Sequence, residues 1–257
     1  MRILLSNDDG IHAIGLRTLY AALRAAGHTV LTVAPLSEQS AASSRITILD
    51  PLRFRTVRDG DFTGIGISGT PADCVLVGLN EFCTAPEERP DLVVAGINAG
   101  HNIGYDVLYS GTVAAAREGA QAGIPSLAVS RWMHKADDPA GVASMAARFI
   151  DSMDWKSLPS DRIYNLNYPP RPCSEMKDIR LCPLSTTPWA TRYERREDLR
   201  GQPYLWMGNV PFPYDRYDDA EMTDSMLLRE GYITLTPLVT NLTDRTLLER
   251  MSASTLL

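Results

Sequence analysis

Hydrophobic and polar positions alternate along the chain in the pattern of strands followed by helices. Arg2–Ser6 is a short apolar run that ends in a polar turn. Residues 15–26 then place Leu16, Leu19, Tyr20 and Leu23 at helical spacing, and Gly27 follows where a helix C-terminus favours glycine. His28–Ala34 is a second apolar run, stopped by a proline. This stretch therefore predicts a parallel strand–helix–strand unit.

The same alternation continues to about residue 170. Its further predicted elements are strands at Asp91–Ala95, Ser126–Ser130 and Arg162–Asn167 and helices at Thr112–Ala122 and 140–153. Such alternation predicts a doubly wound α/β fold, with a mostly parallel sheet and helices on both faces. A last strand, Gly231–Leu238, precedes a polar tail.

Aromatic residues are concentrated after residue 185, at Trp189, Tyr193, Tyr204, Trp206, Phe212, Tyr214 and Tyr217. Within this region Tyr193–Trp206 predicts a β-hairpin that turns near Arg200-Gly201. An exposed aromatic hairpin is typical of a partner surface, most simply for a second copy of the chain; the alternative is a hairpin folded back on its own core. We expect one domain over 1–257, with a core (1–184), a hairpin region (185–218), and a last strand with the tail (219–257).

Composition and charge narrow the possible functions. The 257 residues include 25 Lys and Arg against 31 Asp and Glu, a formal net charge of −6, which argues against a nucleic-acid polymer as partner.

No apolar stretch reaches the roughly 18 residues of a membrane span, and the N-terminal apolar run is shorter than the about 7–15 residues of a signal peptide. The four cysteines, Cys74, Cys83, Cys173 and Cys182, form no CxxC pair, so we expect reduced thiols, with a disulfide as the alternative. A cytoplasmic enzyme or binding protein without a membrane partner is the expectation.

Polar loops follow three of the predicted strands, and the carboxyl ends of parallel strands meet at one edge of a sheet. In the first loop, 7–10, Asp8 and Asp9 are adjacent. Two neighbouring carboxylates repel each other unless a cation lies between them, and hard oxygen ligands favour Mg²⁺, Mn²⁺ or Ca²⁺. The alternative is that one aspartate caps the next helix and the other is solvated.

The second loop, Pro35–Thr47, offers hydroxyl groups at Ser37, Ser40, Ser43 and Ser44. They suit a metal or phosphate site, and equally an ordinary serine-rich surface turn.

The third loop runs from Gly96 to Ser110 and contains Asn98 and Asn102. Ser110 is placed as the N-cap of the next helix, whose free N–H groups form an anion site; a capped helix behind a flexible loop is the alternative. Together the three loops predict metal-assisted phosphoester hydrolysis, because a cation can polarise the phosphoryl group and activate water.

Histidines allow no firm assignment. His12 and His101 lie in the site loops, where either could contact substrate or shuttle a proton. Exposed, uninvolved side chains are the expectation for both, as for His28 and His134. No Ser-His-Asp order can be defended from the sequence.

Several long motifs resemble those of the stationary-phase survival protein SurE family, which are metal-dependent nucleoside monophosphate phosphatases. The matching stretches are RILLSNDDG at 2–10, VAP…S at 33–40, GTPADCV at 69–75 and GINAGHNIGYDVLYSGTVAAAREG at 96–119. Weaker matches are LNYP at 166–169, the RGQPYLW hairpin and the GYITLTPL strand. The resemblance covers nearly the whole chain.

The resemblance implies one Mg²⁺ or Mn²⁺ per subunit and a Rossmann-like three-layer core. By motif, the metal ligands fall on Asp8, Asp9, Ser40 and Asn98, and the phosphate contacts on Ser110, Gly111 and Thr112, with Asn7 and Asn102 as neighbours. The implied reaction is hydrolysis of nucleoside 5′-monophosphates, with 3′-monophosphates as a further substrate class and no residue assigned as general base. Homodimers or homotetramers that associate through the C-terminal hairpin and tail are also implied.

Two short stretches of the second loop depart from the family pattern. Ser40-Ala41 stands where the family usually has Ser-Gly, which bears on loop geometry. Ser37, Glu38 and Gln39 stand where basic residues are common, which bears on affinity for highly charged substrates.

Two other classes of protein fit parts of the same pattern. One is a non-catalytic nucleotide-binding module, since a fold alone does not establish turnover. The other is an aspartyl-phosphate phosphatase of the haloacid-dehalogenase type, which needs Asp-x-Asp rather than adjacent aspartates after the first strand.

Overall fold

A nine-stranded sheet forms the centre of the fold. The structure is a computed structural model that describes residues 1–132, 138–186, 193–207 and 222–253. The strands are β1 (Arg2–Ser6), β2 (Thr29–Pro35), β3 (Phe54–Asp59), β4 (Phe62–Ile67), β5 (Leu92–Asn98), β6 (Ser126–Arg131), β7 (Arg162–Tyr168), β8 (Lys177–Leu181), β9 (Tyr193–Glu197), β10 (Pro203–Met207) and β11 (Tyr232–Val239). The helices are α1 (Ile14–Ala25), α2 (Pro71–Val77), α3 (Gly111–Gln121), α4 (Pro139–Ser152), α5 (Asp224–Glu230) and α6 (Arg245–Ala253).

Strand order places the expected site at the middle of the sheet. The order is β3-β4-β2-β1-β5-β6-β7-β11-β8. The six strands from β4 to β7 in this order are parallel, whereas β3 and β11 pair antiparallel with their inner neighbours. From β1 the chain proceeds to β2 on one side and later returns to β5 on the other. The boundary between β1 and β5 is therefore the topological switch point, where open α/β sheets bind ligands.

Both faces of the sheet are covered by helices. Leu16, Leu19 and Leu23 of α1 are buried, as the helical spacing predicts, in a cluster that includes Ile3 and Leu5. The opposite face packs on α2 and α3 and includes Leu4. Strands buried on both faces read as continuous apolar runs, which is why the core strands are recognisable in the sequence.

The predicted core elements are confirmed, with shifts of at most three residues at their ends. The α/β fold with a mostly parallel sheet is therefore correct. Not predicted were β3, β4, α2, β8 and α5, nor helix α6 within the stretch expected to be a polar tail. β3 is an edge strand in which Val57 is its one buried residue, and such a strand leaves little apolar pattern.

The predicted hairpin is formed by β9 and β10, which pair antiparallel from Tyr193 with Met207 to Glu197 with Pro203. All ten strand residues are exposed. Asp198 closes the turn, because its Oδ1 accepts hydrogen bonds from Arg200 N at 2.8 Å and Gln202 N at 2.9 Å. The aromatic residues Trp189, Phe212, Tyr214 and Tyr217 lie outside the described residues, as does His134.

Further expectations concern the cysteines, membrane spans, location and the division of the chain. All four cysteines are free, as expected. Among the helices that the structure describes, none is long and apolar enough to span a membrane. The cytoplasmic location and the division of the chain into core, hairpin region and tail stay predictions.

Candidate active site

The three polar loops meet at the switch point. The first loop contacts the second where Gln39 N donates to Asp8 O at 2.8 Å. It contacts the third where Ala99 N donates to Asp9 Oδ2 at 3.1 Å. The second and third loops are joined where Ser43 Oγ donates to Leu108 O at 2.7 Å. The convergence expected from strand order is therefore present.

Asp8 lies directly against the start of α3. Its side chain is 6% exposed, and its Oδ1 accepts a short hydrogen bond from the Thr112 hydroxyl. A Cβ added at Gly111 would lie 2.8 Å from Asp8 Cβ, a distance too short for two carbon atoms. Glycine at 111 thus lets the N-terminus of the helix approach the carboxylate.

Burial makes the ionisation of the two adjacent carboxylates costly. Burial raises the pKa of Asp8, although hydrogen bonds from Thr112 act in the opposite direction. Burial also raises the pKa of Asp9 to about 6, with a further contribution from the Asp8 charge and a smaller one from Glu38. Within the described parts of the chain, neither carboxylate forms an ion pair with a basic side chain. The site therefore has negative charge that a divalent cation would neutralise.

Neutral oxygen donors also lie near the aspartates. Asn7 is fully buried, and its Oδ1 has no hydrogen-bond partner, whereas its Nδ2 donates to Gly10 O at 3.0 Å. The side-chain nitrogen Nδ2 of Asn98 donates a hydrogen bond to Gly100 O at 2.9 Å, so this bond does not occupy the amide oxygen. No group of three or more His, Cys, Asp or Glu side chains able to hold a metal occurs in the described residues. Two carboxylates with neutral oxygens suit Mg²⁺ or Mn²⁺ rather than a zinc site of nitrogen and sulfur ligands.

Ser40 is exposed on the second loop, and its hydroxyl donates to Glu38 Oε1 at 2.6 Å. Glu38 is thus an acidic neighbour of the aspartate pair, which sequence reasoning noted only as a departure from the family. In this hydrogen bond Ser40 is the donor, so the lone pairs of its oxygen stay available to a cation.

Ser110 caps α3 as the sequence predicts. Its Oγ accepts a hydrogen bond from Val113 N at 3.1 Å, and its own N donates to Asp106 O at 3.0 Å. The N–H groups in the first turn of a helix lack partners within the helix and carry positive potential. That end of α3 lies beside Asp8, so an anion bound there would be next to the aspartate pair.

Asn102 is buried in a network of amides beneath the third loop. Its Nδ2 donates to Ser130 Oγ at 2.7 Å, and its main-chain N donates to Asn167 Oδ1 at 2.9 Å. Asn165 Nδ2 donates to Asn102 O at 2.7 Å. The network anchors the loop to β6 and β7. Sequence reasoning missed Asn165 and Asn167, although their spacing of two places both on one face of a strand.

Asp73 anchors the other end of the second loop. Its Oδ1 accepts from Thr47 N at 2.8 Å and its Oδ2 from Thr47 Oγ1 at 2.7 Å. Burial alone would raise the pKa of Asp73, but hydrogen bonds from Thr47 and Thr70 outweigh it and lower the pKa. Asp73 was not recognised as a functional residue from the sequence, where it stands only within the GTPADCV motif.

The expectation of exposed histidines is wrong at two positions. His101 is buried with its Nε2 2.7 Å from Tyr168 O. Burial lowers the pKa of His101 to about 4, and the Arg131 charge acts in the same direction. His28 is also buried, 3.1 Å from an oxygen of Asp151. His12 is exposed, as expected, near Arg17.

Comparison with known proteins gives a consistent result. The family model "Survival protein SurE" matches residues 3–191. The 5′-nucleotidase SurE of Lawsonia intracellularis is 45% identical over 251 residues, covering 98% of both chains. That of Oleidesulfovibrio alaskensis is 48% identical over 251 residues, covering 98% of this chain and 95% of the relative. The crystal structure of the Sure protein from Aquifex aeolicus superimposes with a TM-score of 0.82 at 32% identity, covering 98% of this chain and 99% of that one.

Proposed function

The chain belongs to the SurE family, and on that basis we propose that it is a 5′-nucleotidase that hydrolyses nucleoside 5′-monophosphates to nucleoside and phosphate. The relatives that it matches along nearly their full length carry the name 5′-nucleotidase. The observation in the structure that supports this most is the contact of the Asp8 carboxylate, one of two adjacent aspartates, with the start of α3; this arrangement suits a cation bound beside a phosphate.

One divalent cation, Mg²⁺ or Mn²⁺, is held by Asp8, Asp9, Ser40 and Asn98. The raised pKa of Asp9 and the unpaired charge of the aspartates support the two carboxylate ligands, and Ser40 and Asn98 follow from the match to the family motifs. When bound, such a cation supplies Lewis-acid polarisation of a phosphoryl oxygen and activates water for attack.

The start of α3 binds the phosphate. N–H groups at Gly111 and Thr112 donate to phosphate oxygens and stabilise the charge that grows on them as the ester bond breaks. Thr112 has a second task, because its hydroxyl orients the Asp8 carboxylate. Asn7 lies beside this site, and Asn102 holds the loop that leads to it. No general base is assigned.

A purified-protein assay tests the proposal. With Mn²⁺ and AMP the protein should release inorganic phosphate, and EDTA should abolish the release until excess Mn²⁺ is restored. Nucleotide binding without release would support the non-catalytic module instead. A trapped phosphorylated aspartate would support the haloacid-dehalogenase mechanism. An unchanged rate in EDTA would contradict the role of the metal.

We further propose that the protein forms a homodimer or homotetramer through its hairpin and tail. Support comes from exposed apolar side chains on both, with Leu205 62% and Trp206 59% exposed on β10 and Leu248 54% exposed on α6. An isolated two-stranded hairpin is only marginally stable in water, and contact with a second subunit would supply the missing burial.

A further inference from the structure

The carboxylate of Asp224 joins two parts of the chain that lie far apart in sequence. Its Oδ2 accepts a hydrogen bond from Gly104 N at 2.9 Å, and its Oδ1 accepts one from Ser185 N at 2.9 Å. The residue is fully buried, and its main-chain N donates to Pro183 O at 3.0 Å. One buried side chain therefore holds the third loop against residues 183–185.

Gly104 is the point at which the third loop turns towards the phosphate-binding residues. It begins the short 3₁₀ helix Gly104–Leu108, which ends two residues before Ser110. Its φ is +49°, and a Cβ there would lie 3.1 Å from Ser185 O. The preceding residue, Ile103, is buried together with Leu228 of α5. Packing and hydrogen bonding thus fix the same point of the loop to the C-terminal part of the chain.

Ser185 and Asp224 also flank the part of the chain that contains the hairpin. The chain passes Ser185 after β8, continues through β9 and β10, and reaches Asp224 at the start of α5. Because the same carboxylate binds both Ser185 and Gly104, a shift at the base of the hairpin region would be transmitted to the third loop.

We propose that Asp224 is a positioning residue for the phosphate-binding loop and that it couples the hairpin region to the active site. The inference rests on the proposed nucleotidase function. Asp224 acts through Gly104 and touches no substrate. Its carboxylate suits this task because it accepts from both N–H groups at once, whereas a neutral amide offers one oxygen and places a donor against the second N–H.

Asp224→Asn is the variant that tests the proposal, with Ser225→Ala as its matched control. Ser225 is the next residue of the same helix turn, and its hydroxyl lies 3.1 Å from Thr223 Oγ1 rather than against the third loop. The measurements are kcat and KM for AMP with saturating Mn²⁺, and hydrogen–deuterium exchange of peptides that cover residues 98–112. We expect Asp224→Asn to lower kcat about ten- to hundredfold with less than about threefold change in KM, because a small misplacement of the phosphate donors affects the transition state most.

The exchange experiment separates positioning from general destabilisation. In Asp224→Asn, exchange should rise in 98–112 and remain near wild type in peptides of β1 and β2, and Ser225→Ala should leave both exchange and kcat unchanged. Wild-type kcat together with wild-type exchange in 98–112 would overturn the proposal, and so would a uniform rise in exchange along the chain. Asp224→Ser, whose hydroxyl can accept from one N–H, is expected to be intermediate and serves if the asparagine variant does not fold.

Failure of the proposed function would be distinguishable from failure of this inference. If the wild-type protein released no phosphate from AMP, the nucleotidase function would be wrong. The link between Asp224 and the loop would still be decided by the exchange of 98–112.

Discussion

The Thr112 hydroxyl donates a hydrogen bond to the Asp8 carboxylate across 104 positions of sequence. This bond connects the first turn of α3 to the loop after β1. It lowers the energy of an ionised carboxylate that burial otherwise disfavours. The proposed phosphate site and the proposed cation site therefore share one hydrogen bond.

Thr112→Val should lower kcat/KM for AMP by about ten- to a hundredfold, because removing one partner of a buried polar pair costs about 1–3 kcal/mol. Valine preserves the shape of the side chain and removes the hydroxyl. Thr112→Ser is the matched control, since it keeps the donor, and it should retain most activity. Equal activity of the valine and serine variants would contradict a role for the bond.

Asp9→Asn should remove most phosphate release and leave the fold intact. The amide is neutral, so the cation loses one of its two carboxylates. Thermal unfolding measured with and without Mn²⁺ should show a smaller metal-induced rise in Tm than in the wild type, because ligand stabilisation follows affinity. Asp61→Asn, at an exposed site, is the control and should behave as wild type. Wild-type turnover of Asp9→Asn with bound metal would overturn the ligand assignment.

Glu38→Gln should shift substrate preference towards more highly charged phosphates. Glu38 places a negative charge close enough to act on both aspartates, and it would repel a substrate with several phosphate groups. Removal of the charge should raise the ratio of kcat/KM for tripolyphosphate over AMP about three- to tenfold at low salt, and less at high salt. Glu81→Gln, at an exposed position, should leave the ratio unchanged. A ratio unaffected by Glu38→Gln would show that the charge does not act on substrate.

His101 should make the protein less stable as the pH falls from about 6.5 towards 4. The folded pKa of about 4 lies below the ordinary value of 6.5, so the unfolded chain binds the proton more readily in that window, and stability rises with pH. The contribution is at most about 3 kcal/mol. Denaturant unfolding of wild type and His101→Gln at pH 7 and pH 4.5 isolates it, since other groups cancel. The variant should lose less stability between the two pH values; an equal loss would contradict a buried neutral histidine.

Trp206→Glu should reduce association between subunits. The side chain is exposed on β10, and a charge there would oppose burial at an interface. Light scattering coupled to size exclusion should give a smaller mass for the variant than for the wild type at the same concentration. Arg200→Ala, in the hairpin turn, should leave the mass unchanged. A wild-type mass for Trp206→Glu would exclude this residue from the interface.

Sequence patterns identify the core strands and helices more readily than the residues that hold the site loops in place. Helix α1 is predictable from the spacing of Leu16, Leu19 and Leu23, because burial of one helix face requires apolar residues at helical spacing. Ser110 was recognisable as a cap because capping depends on local geometry alone. In contrast, Asp224 and Asn167 act on residues 120 and 65 positions away. No local pattern marks such partners, since tertiary folding alone brings them together.

The contacts between the loops also determine when activity can arise during folding. Asp9 meets Ala99 across 90 positions, and Asp8 meets Thr112 across 104. Contacts between residues so far apart in sequence form slowly, because closing the intervening loop costs entropy before the contact stabilises the chain. A nascent chain that ends before Thr112 cannot form the contact between Asp8 and Thr112, and its site is incomplete. Recovery of phosphate release after denaturation should therefore lag behind recovery of helical circular dichroism. Activity would then indicate when the long-range contacts between the loops have formed.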